Sequence, residues 1–116
     1  MTTADFLTCL AKTESNDDPN IHLGDGGRAL GRFQVHPDWV WTQCQRFGIK
    51  PALNETWDSF ITRLVIEFFN HYAVALDDLG VAMYFHLGHR ALPTDADWDK
   101  GYAERFQGFA ADVAHP

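Results

Sequence analysis

Glu14 stands at the end of a short apolar stretch, and a glycine-rich segment follows it at a short distance. The residues run Thr13-Glu14-Ser15, then Gly24-Asp25-Gly26-Gly27-Arg28-Ala29-Leu30-Gly31-Arg32-Phe33-Gln34-Val35. An acid at the C-terminal end of a helix feels the negative end of the helix dipole, which favours its protonated form. Packing against apolar groups would raise its pKa further. Protonating a leaving glycosidic oxygen needs such an acid. The polar groups of the loop would stand opposite it, the layout of a one-acid glycosidase cleft.

Around Glu14 other residue types could contribute. Asp25 is the best second carboxylate, although an Asp before Gly-Gly also suits a tight turn with no chemistry. Gln34 can donate and accept, which suits an N-acetyl group or a sugar hydroxyl, and it could equally tie the loop to a helix end. His36 could orient water or sugar, or begin a helix. Trp39 and Trp41 could stack on sugars, with at least one of them expected in the core. Asp17 and Asp18 read as solvated or turn-forming.

A mostly α fold must position these groups. Phe6, Leu7, Leu10 and Ala11 recur at helical spacing and predict a first helix from Thr3 to Glu14. Residues 15–35 read as one long loop with at most a small hairpin. His36-Pro37-Asp38 reads as the start of a second helix, which Gly48 closes. Asn54 followed by Glu55 opens the longest helix, whose stripe from Trp57 through Phe68 to Leu76 marks it as the central core helix. Val81 to Leu87 predict a short apolar helix closed by Gly88. Thr94 is the expected cap of a last helix, with Trp98, Tyr102, Phe106, Phe109 and Val113 facing inward.

Composition narrows the function classes. The chain has 116 residues, expected to form a single domain over residues 1–116, and 46% of them are hydrophobic. A chain of this size buries roughly two thirds of its unfolded surface, so an independent core is expected. A net charge of −7 argues against nucleic acid, whose phosphates need concentrated Lys and Arg. No stretch resembles a membrane span, so no membrane insertion is expected. The N-terminus lacks a basic leader region, so synthesis in the cytoplasm, or a mature fragment, is expected. Cys9 and Cys44 are too few for a disulfide framework and are expected as buried, reduced thiols.

Metal and cofactor signals are weak. His86 and His89 lie three apart, and His22, His36 and Asp25 could add ligands, but no Cys-x-x-Cys or His-Glu-x-x-His accompanies them. Asp95, Asp97 and Asp99 alternate like a calcium loop without its glycine in place, and read as acids at a helix N-terminus. No metal or other cofactor is expected.

In order along the chain stand Glu14-Ser15, then Ala29-x-Gly31-x-x-Gln34, then Tyr84-Phe85-His86-Leu87-Gly88. This series resembles the lysozyme superfamily, in particular the soluble lytic transglycosylases and goose-type lysozymes. Those carry an acid-Ser pair, a Gly-Leu-Met-Gln-like segment and an Ala-Tyr-Asn-x-Gly segment in the same order. The resemblance spans residues 6–88. It implies a lysozyme-like α-helical domain with Glu14 as catalytic acid, Asp25 as a water-positioning acid, and a sugar cleft lined by Ser15, Gln34, His36, Tyr84, Phe85 and His86. Two departures stand out in the last segment: Phe85 replaces the usual Tyr and cannot hydrogen-bond, and His86 replaces the usual Asn. Where goose-type enzymes carry a second Asp, this chain has His36.

The implied function is a muramidase, a monomer cleaving the β-1,4 linkage of the peptidoglycan glycan strand, by hydrolysis or by intramolecular transglycosylation. It would act on the cell wall after release or export, in a phage or bacterial setting. A non-catalytic binding or structural module of the same fold, or a chitin-type glycosidase, are the alternatives.

Overall fold

The computed structural model describes residues 1–17 and 29–115. Five helices run in order: α1 (Thr3–Ser15), α2 (Pro37–Phe47), α3 (Trp57–Tyr72), α4 (Asp78–Leu87) and α5 (Lys100–Ala114). Among the described residues the one β-type pairing is a bridge between Leu30 and Val35. The fold is therefore mostly α, as the periodicities indicate.

Local chemistry sets the boundaries. Thr2 caps α1, its hydroxyl accepting from the Asp5 N–H at 3.1 Å. Asn16 closes α1 in the left-handed conformation, with φ of 57°. Pro37 and Asp38 occupy the first turn of α2, and Gly48 ends it at φ 65°.

Three starts differ from the sequence expectation. Asn54 does not cap α3: it is left-handed at φ 64°, and Thr56 is the cap, accepting from the Ser59 N–H at 3.1 Å. Trp57 consequently lies on the first turn and is half exposed. Helix α4 begins earlier than Val81 because Asp77 accepts from the Gly80 N–H at 2.7 Å. A Cβ at Gly80 would lie 2.8 Å from the Asp77 carboxylate, so a larger residue there would push the capping oxygen aside. Thr94 caps nothing in α5. Asp95 instead closes a turn by accepting from the Leu92 N–H at 2.7 Å, and Asp99 caps α5 by accepting from the Tyr102 N–H at 3.0 Å. In each case a nearby Asp or Thr competes for the same backbone donors, and the hydrophobic pattern decides which one the helix uses.

Helix α1 packs most extensively on α5 and also on α3, while α4 lies on α5 and α2 on α3. Phe6 joins these layers. Its ring stacks on Phe69 at 4.2 Å and meets Phe106 at 5.9 Å. The stripe of α3 is buried from Phe60 to Tyr72. Helix α4 is enclosed more completely, because the consecutive residues Val81, Ala82 and Met83 are all sealed. Three successive positions sweep about 200° of a helix, so α4 is covered on more than one side. Phe33 and Val35 join the core. Both cysteines are free thiols, with Cys9 buried and Cys44 only half-buried. Burial pushes both thiol pKa values up, so neither is an activated thiolate.

Candidate active site

Glu14 lies in the last turn of α1 and lines an open cleft of about 330 Å³ with Lys12, Thr13, Ser15, Asn16, Arg105 and Phe109. Overall the residue is half-buried, yet its Oε2 is sealed from solvent. Loss of hydration disfavours the charged form and pushes the carboxyl pKa up to about 7. The Tyr102 hydroxyl and the Arg105 guanidinium pull the other way, more weakly. The group thus keeps its proton close to neutrality while bordering open space.

Tyr102 projects from the first turn of α5 into the seam with α1 and is almost wholly buried. Burial, and then the Glu14 charge, raise its hydroxyl pKa well above the usual tyrosine value, so it remains a donor. Its hydroxyl is close enough to favour the Glu14 carboxylate as a hydrogen-bond donor does, although neither Glu14 Oε2 nor Tyr102 Oη reaches full hydrogen-bond geometry with a partner among the described residues. A sealed polar atom left unjoined is costly, which adds to the penalty on the charged form of Glu14.

His86 stacks on Tyr102, with ring centroids 4.0 Å apart and planes 11° from parallel. Asp99 holds it there. One carboxylate oxygen caps α5, and the other lies 2.9 Å from His86 Nε2. The cap and the histidine both favour the ionised form, lowering the Asp99 pKa, so the carboxylate accepts and the Nε2–H donates. The inward place of Tyr102 on the last helix and that of Asp99 at a helix N-terminus are both legible in the sequence, but the links of Tyr102 and Arg105 to Glu14 and of Asp99 to His86 are not. A tyrosine among inward phenylalanines was the available signal, because a buried hydroxyl needs a partner.

The remaining expected site residues divide. Ser15 borders the cleft, and its Oγ donates to the Arg32 carbonyl at 2.6 Å. That bond ties the end of α1 to the turn at Gly31–Gln34. Arg32 fastens the same turn to α3, with Nη2 donating to Thr62 at 2.8 Å and Nε lying 3.1 Å from the Asp58 carboxylate. Gln34 adopts φ 51° and donates its side-chain amide to the Gly31 carbonyl at 2.8 Å. His36 occupies the cap position of α2 without a side-chain capping bond.

Tyr84 lines a different cavity, on α2, and its hydroxyl lies 3.2 Å from that of Tyr72. Phe85 is buried against Trp39 and Phe68, so it presents almost no surface. Trp39 joins the core edge, whereas Trp41 is 67% exposed. Asp25, Asp18 and His22 lie outside the described residues.

Among the described residues no three His, Cys, Asp or Glu side chains cluster as a metal site. His89 is engaged 2.7 Å from Asp97, and Asp95 and Asp99 serve separate turns. No helix is long and apolar enough to cross a membrane. Compared with known proteins, the chain matches no family model, no curated protein and no solved structure.

Proposed function

We propose that this chain is a peptidoglycan-cleaving glycosidase, with Glu14 as general acid at the β-1,4 linkage between N-acetylmuramic acid and N-acetylglucosamine. The observation that carries the reading is a carboxyl group that retains its proton to about pH 7 at the edge of an open cleft. A general acid works best with a pKa near the operating pH. Glu14 gives its proton to the leaving glycosidic oxygen as the bond to the muramyl C1 breaks. The carboxylate left behind is stabilised by Tyr102 and Arg105, both of which act to favour its charged form. Neither Gln34 nor His86 lines the cleft, since Gln34 donates to the Gly31 carbonyl and His86 lies against Asp99, so any contact of theirs with the sugar would form beyond the cleft wall.

Among the described residues Glu14 is the one carboxylate lining the cleft, which suits a one-acid route. In that route the muramyl 6-hydroxyl attacks C1, its proton passes to the Glu14 carboxylate, and an anhydro end forms. If water oriented by Asp25 attacks instead, the enzyme is a hydrolase.

Digestion of purified peptidoglycan by wild type and Glu14→Gln, read by mass spectrometry, tests the reading. Soluble muropeptides are expected from wild type and not from the variant, and an anhydro product is lighter by one water. A wild-type digest indistinguishable from the blank, or a fully active variant, would refute it.

A further inference from the structure

A second cavity, of about 200 Å³, lies between α2 and the C-terminal end of α4, and Glu14 is not among its lining residues. Its wall carries a charge of each sign. Asp38 and Arg46 both line it, about 12 Å apart along the axis of α2 and about 80° apart around it. Between them sit Trp39 and Gln43. Gln43 is 4% exposed, and its Oε1 is sealed without a hydrogen-bond partner. A buried amide left unjoined costs free energy that a bound partner would recover.

At the Arg46 end the donors are aligned. Arg46 Nη1 donates to the Tyr72 hydroxyl, which lies 3.2 Å from the Tyr84 hydroxyl. With Tyr72 accepting from Arg46 and donating onward, the Tyr84 O–H is left to point at an acceptor. The guanidinium also lies over the Tyr72 ring, 5.9 Å from its centroid, and makes no second hydrogen bond among the described residues.

We infer that this cavity binds a short zwitterionic peptide. Its carboxylate would lie on Arg46 and Tyr84, its peptide group on Gln43, and its ammonium against Asp38. A guanidinium and a hydroxyl match carboxylate geometry, and a turn of the Gln43 amide about its terminal bond would bring its sealed acceptor, or its donor, to a peptide unit. The small volume limits the ligand to about two residues with small side chains. Binding here asks nothing of Glu14, so it can fail while the glycosidase reading holds, and the reverse.

The test is a titration of the full ¹⁵N-labelled chain with alanyl-alanine, its N-acetyl form and its C-terminal amide. Saturable shifts of the Gln43 side-chain amide are expected with the free dipeptide. Capping either end should weaken binding at least about tenfold. Arg46→Met should reproduce the loss seen with the amide, and Asp38→Asn the loss seen with the acetyl form. Arg46 also supports Tyr72, so the Asp38→Asn variant, at an exposed position, keeps the test decisive if Arg46→Met unfolds. The inference is overturned if no saturable shift appears at tens of millimolar, or if capping either end leaves the affinity unchanged.

Discussion

Glu14, in the last turn of α1, and Glu55, just before α3, carry the same carboxyl group, yet one holds its proton to about pH 7 and the other releases it by about pH 2. Both are partly shielded from water. The side chain of Glu55 is only 9% exposed, but what covers it is the Arg63 guanidinium, 2.7 Å away, rather than hydrocarbon. Arg63 lowers its pKa most, followed by the Ala52 N–H and, more weakly, the Ser59 hydroxyl. Glu14 is enclosed by the α1–α5 seam with Oε2 unjoined. Covering a carboxyl therefore does not fix its charge; the polarity of the covering groups does.

Removing the acid should break the contrast most severely. Glu14→Gln keeps the shape of the side chain without its transferable proton, and peptidoglycan cleavage is expected to fall by about 10²–10⁴-fold. Release of muropeptides from purified sacculi checks this. Wild-type activity should also decline as pH rises through about 7, where Glu14 loses its proton.

Stability should respond with opposite signs at the two sites. The folded pKa of Glu14 lies above its ordinary value, so the fold is at no disadvantage below pH 4.5 and loses stability as pH rises through about 7. The full loss is on the order of 3 kcal/mol. Glu14→Gln should therefore gain on wild type between pH 4.5 and 8 in thermal melts. A gap that does not change over that range would show that the carboxyl is not desolvated.

Tyr102→Phe should sharpen the comparison by making Glu14 still less like Glu55. It deletes the hydroxyl that favours the Glu14 carboxylate and keeps the ring stacked on His86. The alkaline limb of the pH–activity profile should move up. The smallest effect is expected from Glu55→Gln. The folded pKa of Glu55 is depressed, so its contribution is present above pH 4.5 and lost as pH falls through about 2. A slight drop in melting temperature at neutral pH should vanish on acidification.

Much of the fold was legible because helices announce themselves locally. The stripe from Phe60 to Tyr72 and the caps at Gly48 and Gly88 act over a turn or two, within reach of pattern reasoning. Thr94 and Asn54 misled for the same reason: several short polar residues compete for each helix start, and the choice depends on packing further along. Glu14 could be singled out from its position at a helix end. Its partner could not, because Tyr102 lies far off in sequence and meets it only when α5 docks on α1. Tyr84 and Phe85 illustrate the same limit. Their place on a short apolar helix was visible, but not that one would border a cavity on α2 and the other sink against Trp39.

Asp99 uses one oxygen to start α5 and the other to fix His86 against the Tyr102 ring. A phenol pressed by a parallel imidazole at 4.0 Å can turn about its Cβ–Cγ axis only when the imidazole withdraws. That withdrawal requires Asp99 to release its hold. The half-turn rate of the Tyr102 ring, visible in aromatic NMR line shapes, is therefore a clock for how often the seam behind Glu14 opens.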